Sequence, residues 1–251
     1  MWYVAAATVA GPSHAATGNE DAVEFLPAAG IGRRVQVAIA DGHGGEAYIR
    51  SGIGARLAVG AALSELTHHH ARNGIDLDAI TRRIVERWRR LVDADLERDP
   101  IDGGMRTYGT TLLAVAAEED LIACSQIGDG HILLVDDSGL VSSPLPDDPR
   151  LVGNLTTSLA GSEPIRDARM EVLTADSIRL VLACTDGYEN SFADEASFFQ
   201  AASDLLTIAE EHGVEVIRRQ LPAWLAETTS AGSGDDTSVA VSMHEPEPRR
   251  R

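Results

Sequence analysis

The residues best equipped for chemistry lie in Asp41-Gly42-His43-Gly44-Gly45, where an apolar run ends in a carboxylate, an imidazole and three glycines. Asp41 offers hard oxygen donors suited to a divalent cation, and His43 can move a proton near neutral pH. Gly42, Gly44 and Gly45 remove the Cβ atoms that would hold backbone away from a ligand. Asp-Gly and Gly-Gly are also ordinary turn dipeptides, so this stretch alone does not separate a site from a strand end. Similar junctions recur at Ile127-Gly128-Asp129-Gly130-His131, Cys184-Thr185-Asp186-Gly187 and Gly234-Asp235-Asp236, each beside an apolar run, and Glu20-Asp21 adds another pair of carboxylates. Taken alone, the Asp129 junction reads equally well as a hairpin turn. Carboxylates delivered by separate strands are the donors that Mg²⁺ or Mn²⁺ requires, whereas paired cysteines or an H-E-x-x-H helix, the marks of structural or protease-type zinc, are lacking. Such a cluster repels itself unless cations neutralise it.

The elements that must position these groups follow from periodicity. Trp2 to Val9 reads as a strand, turned by Gly11-Pro12-Ser13-His14, and Val35 to Ala40 reads as a second strand that delivers Asp41. Glu20 and Asp21 are adjacent, so one of them points at a site directly and the other acts from behind it or lies in solvent. Ile49, Ile53, Leu57, Ala61 and Leu66 recur at helical spacing, and Leu77, Ile80, Ile84, Trp88, Leu91 and Leu96 mark a second helix. Its Arg82, Arg83, Arg87, Arg89 and Arg90 read as a solvated face, with docking as the alternative. His68-His69-His70 reads as a helix end, because consecutive helical residues diverge by about a hundred degrees and do not converge on one ion. From Tyr108 short β-rich segments suggest an antiparallel meander, and residues 143–170 lose periodicity, as substrate flaps and surface loops do. Ile178 to Ala183 reads as a strand ending at Asp186-Gly187, two amphipathic helices follow around Gly213, with Pro222 weakening or kinking the second, and Thr237 to Met243 closes the chain as a strand.

The chain of 251 residues is long enough for a full core, and without a linker it reads as one domain over residues 1–244 with a disordered tail at 245–251. A formal charge of -18 repels phosphate backbones and anionic bilayers, which argues against nucleic acid or membrane as partner. Cys124 and Cys184 sit in apolar runs as small buried thiols, in keeping with a reduced, cytoplasmic protein, and the apolar start lacks the positive region of a signal peptide.

In order and spacing these motifs resemble the metal-dependent protein phosphatases of type 2C, the PPM family, in a divergent bacterial-type branch. Asn19-Glu20-Asp21 is similar to the family's N-terminal acidic motif, Asp41 to Gly45 to its Asp-Gly-x-Gly-Gly motif, and Tyr108-Gly109-Thr110-Thr111 to its small-residue strand. Ile127-Gly128-Asp129, Ala183 to Gly187 and Gly234 to Ser238 resemble its three later elements. The resemblance implies an α+β fold, a four-layer α-β-β-α sandwich of two central antiparallel sheets flanked by helices. It also implies two Mn²⁺ or Mg²⁺ ions, with a third allowed. Asp41 would bridge them, the Gly42 carbonyl, Asp186 and Asp235 would ligate, and Glu20 or Asp21 would act directly or through water. Asp129 would serve the third ion. A water bridging the metals would attack phosphorus, and His43 would protonate the leaving seryl or threonyl oxygen. The implied substrate is a phosphoprotein and the implied state a monomer.

The chain departs from that pattern in three places. Ala16 stands where the family commonly carries a phosphate-clamping arginine, and His14 reads as a turn histidine, with weak substitution for that arginine as the alternative; Asn190 replaces an acidic residue of the third-metal site; and Asp236, either behind the ligands or solvated, replaces the usual Asn. These departures keep two alternatives open: a pseudophosphatase or phospho-binding regulatory module, and a small-molecule phosphate hydrolase.

Overall fold

A computed structural model describes residues 1–15, 17–68, 75–118, 120–150 and 156–245. In chain order its elements are β1 (Trp2–Val9), β2 (Ala22–Leu26), β3 (Ile31–Gly32), β4 (Arg34–Ala40), α1 (Ser51–Thr67), α2 (Leu77–Arg98), β5 (Leu112–Glu118), β6 (Leu121–Ile127), β7 (His131–Asp136) and β8 (Val141–Ser142). The single turn α3 (Pro164–Asp167), β9 (Arg169–Thr174), β10 (Ile178–Cys184), the single turn α4 (Asp186–Glu189), α5 (Glu195–His212), α6 (Val214–Ala231) and β11 (Thr237–His244) follow. One sheet has the order β3-β1-β11-β10-β7-β8 and the other β2-β4-β5-β6-β9. All pairings are antiparallel.

Strand alternation builds the layers. In β4, Val35, Val37 and Ile39 enter the core between the sheets while Ala38 and Ala40 face α1 and α2. In β10, Val181 and Ala183 face the other sheet while Leu180, Leu182 and Cys184 face α5 and α6. Strands buried on both faces therefore read as continuous apolar runs, and each fully buried Val, Leu or Ile stabilises by roughly 1.5–3 kcal/mol. The three cores separate four layers, the α-β-β-α sandwich implied by the sequence.

Helix α1 packs on its sheet through Ala55, Ala58, Ala61 and Ala62, all buried, and small residues at that contact bring helix and strands close. At its start Gly54 accepts a hydrogen bond from Trp88 Nε1 (2.9 Å), and a Cβ there would stand 2.1 Å from the Tyr108 carbonyl oxygen. Gly54→Ala is therefore expected to cost about 2–3 kcal/mol, read as a lower urea midpoint, because the atom it meets belongs to backbone that cannot swing aside.

The structure corrects several expectations. The meander does not stay in one sheet: β5 and β6 belong to the five-stranded sheet, β7 and β8 to the six-stranded one, so the Asp129 junction is a crossing between sheets and not a hairpin. Ile49 precedes α1 and is 61% exposed, outside the buried face. Strand β9, unforeseen, pairs with β6 at the sheet edge; its half-exposed side chains lack a clear apolar alternation. Helix α6 runs on through Pro222. On α2 the arginine face is partly used within the fold: Arg82 pairs with Asp78, Arg83 and Arg87 with Glu65, and Arg89 donates to the Gly161 carbonyl. His68 caps α1, whereas His69, His70, Asn73 and Gly74 lie outside the described residues, as do Ala16, residues 151–155 and the expected tail from residue 246 onward. Both cysteines are buried, and burial pushes the Cys124 thiol up to about 12 and that of Cys184 further. Among the described residues no helix is long and apolar enough to cross a membrane.

Candidate active site

Strand β4 ends at Ala40, and the next residues are clasped by Gly109-Thr110-Thr111. The Asp41 N–H donates to Thr111 Oγ1 (3.0 Å), while the Thr111 N–H (2.9 Å) and the Thr110 hydroxyl (2.7 Å) donate to the Asp41 carbonyl. The His43 N–H donates to the Gly109 carbonyl (3.0 Å). This spends the backbone polar groups locally and leaves the side chains of Asp41 and His43 to face a cleft. Gly42 is required by close approach, since a Cβ there would stand 2.6 Å from the Glu20 carbonyl. Gly45 adopts φ 102° and turns the chain into the 3₁₀ turn at Glu46–Tyr48, whereas a Cβ at Gly44 would meet nothing.

The cleft, about 670 Å³, brings together Asp41, Gly42, His43, Asp129, Asp186 and Asp235. His14, Tyr48, Thr156, Ser158 and Asn190 also line it. Asp129 arrives on the inter-sheet crossing, where Thr156 Oγ1 accepts its N–H (3.1 Å), Thr157 Oγ1 accepts that of Gly128 (2.8 Å) and the Gln126 side chain donates to the carbonyls of Gly128, Asp129 and Gly130. Asp186 opens the turn α4, and His131 Nε2 lies 2.6 Å from Glu189 Oε2, tying the Asp129 and Asp186 junctions together. Thr156, Ser158 and Gln126 carry no motif in the sequence; for the first two, small hydroxyl residues inside an aperiodic stretch are the available signal, and Gln126 on β6 has none.

Glu20 and Asp21 do not line the cleft and diverge as adjacent residues should. The Glu20 carboxylate accepts from Ser51 (2.8 Å) and lies 3.6 Å from His14. Asp21 is buried behind the cleft, where its Oδ2 accepts from the Thr185 hydroxyl (2.9 Å) and its Oδ1 has no partner.

Burial and mutual repulsion dominate the electrostatics. Burial, helped by the charges of Asp236 and Asp186 and opposed by the nearby Ser238 and Thr185 hydroxyls, pushes Asp21 up to about 8. Asp41 is held well above the ordinary carboxylate range by burial and by the charges of Asp21, Asp186 and Asp129, and Asp186 is raised by burial and Asp129. Burial pulls His43 down, with Asp129 pulling against it. The group as a whole is short of positive charge.

The three departures acquire positions. Among the described residues no arginine lines the cleft; its basic side chains are His14 and His43. Asn190 Nδ2 donates to Asp186 Oδ2 (3.2 Å), occupying an oxygen a cation could use. Asp236 is 3% exposed, so it is not solvated. Its Oδ1 accepts the Gly11 N–H (2.9 Å), its Oδ2 accepts the Glu20 N–H (2.7 Å), and His14 Nδ1 stands 3.0 Å from the same Oδ2. His14 Nε2 in turn lies 3.2 Å from Asp235 Oδ1. Asp236 thereby brackets the segment that carries His14 and Glu20 against the turn before β11 that carries Asp235. Asp236→Asn turns one acceptor into a donor that faces a backbone N–H or the His14 ring. It is expected to cost about 2–3 kcal/mol in thermal or urea unfolding.

The donors are hard oxygens, and the buried, unpaired Asp21 Oδ1 together with the raised carboxylates fits a group that brings positive charge. The side chains are spread: among the described residues no three His, Cys, Asp or Glu converge tightly enough to form a preassembled cage.

Comparison with known proteins bears on this site. The catalytic domain of the serine/threonine protein phosphatase PstP in complex with two manganese ions superposes with a TM-score of 0.68 at 24% identity, over 96% of this chain and 97% of that one. The Mycobacterium tuberculosis serine/threonine phosphatase PstP/Ppp gives 0.68 at 21%, over 97% and 99%. PppA, a regulatory component of T6SS in Pseudomonas aeruginosa, gives 0.64 at 21%, over 96% and 97%. These likenesses establish the fold. No curated protein sequence matches the chain. The family model for protein phosphatase 2C matches residues 10–226, which span every junction around the cleft except that of Asp235, and the chain belongs to the protein phosphatase 2C family.

Proposed function

We propose that this protein is a metal-dependent phosphatase that hydrolyses phosphoserine and phosphothreonine in proteins, with residues 1–244 as one catalytic domain acting as a monomer. The observation that carries the reading is the convergence of Asp41, Asp129, Asp186, Asp235 and His43 on one cleft, with the unpaired Asp21 oxygen behind it. Two Mn²⁺ or Mg²⁺ ions would be held by Asp41, the Gly42 carbonyl, Asp186 and Asp235. Asp21 would support them from behind, Glu20 braces Ser51 and His14, and Asp129 would serve a third ion. The two manganese ions of the PstP complex support this reading. When bound, the cations supply neutralisation of phosphate charge and acidify water.

The chain's own residues do the rest. The Gly109-Thr110-Thr111 clasp fixes the backbone of Asp41 and His43 so that carboxylate and imidazole keep their separation through turnover. His43 donates a proton to the leaving seryl or threonyl oxygen. Burial makes its imidazolium a stronger acid, and the Asp129 charge limits the loss of protonated fraction.

A second reading, a phospho-binding module without turnover, is favoured by one observation: a cleft lined by no arginine, with Asn190 on Asp186. The experiment that separates them measures hydrolysis of an aryl phosphate and a phosphoserine peptide with and without Mn²⁺, beside thermal shifts on Mn²⁺ addition. Mn²⁺-dependent release of phosphate from the peptide supports the enzyme. Mn²⁺ and peptide binding without turnover supports the module, and turnover of metabolite phosphates alone supports a small-molecule hydrolase.

A further inference from the structure

The cleft is acidic, on a chain of formal charge -18, so acidic peptides meet general repulsion at its mouth. Many arginines elsewhere are committed to carboxylates: Arg50 to Asp99, Arg82 to Asp78, Arg150 to Asp148 and Arg179 to Glu210. Arg106 differs. It is exposed, among the described residues no carboxylate pairs with it, and its guanidinium carbon stands 5.8 Å from the centre of the Tyr48 ring. Tyr48 lines the cleft and meets His43 edge-on, with ring centres 5.2 Å apart. The backbone that places Arg106 is fixed: its carbonyl accepts the Gly109 N–H (3.1 Å), and the Thr107 carbonyl accepts the Arg50 N–H (2.9 Å).

Direction follows from chemistry. The proposed proton donor must lie beside the leaving oxygen, and that oxygen carries the substrate's polypeptide. The chain flanking the phosphorylated residue therefore leaves the cleft on the His43 side, across Tyr48 and toward Arg106. Tyr48 lines the cleft and Arg106 does not, while its guanidinium lies against the Tyr48 ring, a placement that suits contact with the flanking chain better than with the phosphate. We infer that Arg106 is a specificity-determining residue that selects phosphopeptides bearing a carboxylate next to the phosphorylated residue. The inference rests on the phosphatase reading and on His43 as proton donor.

The test uses phosphoserine peptides that differ only in Glu or Gln beside the phosphoserine, on either side of it. Wild type, Arg106→Gln and Arg106→Glu are compared at low ionic strength with Mn²⁺. In wild type kcat/KM is expected to favour the Glu peptide about three-fold, mostly through KM, as suits a rim charge pair. The preference disappears in Arg106→Gln, inverts in Arg106→Glu, and fades in wild type as salt shortens the screening length. An equal Glu-to-Gln ratio in all three proteins overturns the inference, and so does equal loss for both peptides, which would mean that Arg106 grips the phosphate. Turnover of p-nitrophenyl phosphate by wild type reports separately on the phosphatase reading. If that turnover is absent, the same ratio is read as peptide binding by fluorescence anisotropy, where lack of a charge preference overturns the inference equally.

Discussion

Asp41→Asn is expected to lower Mn²⁺-supported kcat on the order of 10³-fold while raising the stability of the metal-free protein. The side chains of Asp21, Asp129 and Asp186 all act on Asp41, so a change in its charge is felt across the cleft. Thr110 and Thr111 hold its backbone and not its carboxylate, so the amide should sit where the carboxylate sat. Removing the charge relieves the repulsion that raises Asp41 and, with it, part of the cost of folding around buried acids. Paired measurements of phosphate release and of urea unfolding in chelator check this. A variant that loses stability along with activity would assign Asp41 to the scaffold.

The second large effect concerns pH. Burial pushes the Asp21 carboxyl up to about 8 in the folded chain, far above the ordinary carboxylate value of about 4. A carboxyl raised on folding binds more protons in the folded than in the unfolded state between those values, so the metal-free protein loses stability as pH rises from about 4 to about 8. The loss from Asp21 is on the order of 5 kcal/mol at most, because relaxation and water entry reduce it. Below about pH 4 the trend turns over, since carboxylates such as Asp95, held low by the Tyr108 hydroxyl, begin to lose their partners. Bound Mn²⁺ favours ionised ligands and reverses the slope. Urea titrations near pH 5 and pH 8, with chelator and with Mn²⁺, read both limbs. Equal stability of the metal-free chain at the two values would show that Asp21 is not the buried, unpaired acid described.

Much of this was legible because Ile39-Ala40-Asp41-Gly42 and Leu182-Ala183-Cys184-Thr185-Asp186 are strands buried on both faces that end in a charge, a pattern sequence carries openly. The path at Asp129 was not legible. A glycine-flanked acid between two apolar runs looks the same whether the next strand pairs with the last or crosses to another sheet, and only long-range pairing decides. Strand β9 has no legible signal because the side chains of this edge strand are partly exposed along its length and do not alternate clearly. Asp236 was placed no better than behind the ligands or in solvent, since its partners Gly11, His14 and Glu20 lie more than two hundred residues away in the chain. The division between Glu20 and Asp21 was half legible: adjacency required them to diverge, but the Thr185 hydroxyl that receives Asp21 is again a distant residue.

The pairing of β1 with β11 has a mechanical consequence. Their register runs from Trp2 opposite His244 to Val9 opposite Thr237, and the Met1 carbonyl accepts the Glu245 N–H. A load applied between those two ends pulls the ladder open one rung at a time, the weak direction for antiparallel strands, instead of shearing all rungs together. The tear starts at the edge remote from the cleft and reaches the Asp236 bracket and Asp235 last, so the carboxylates keep their positions until the final rung parts.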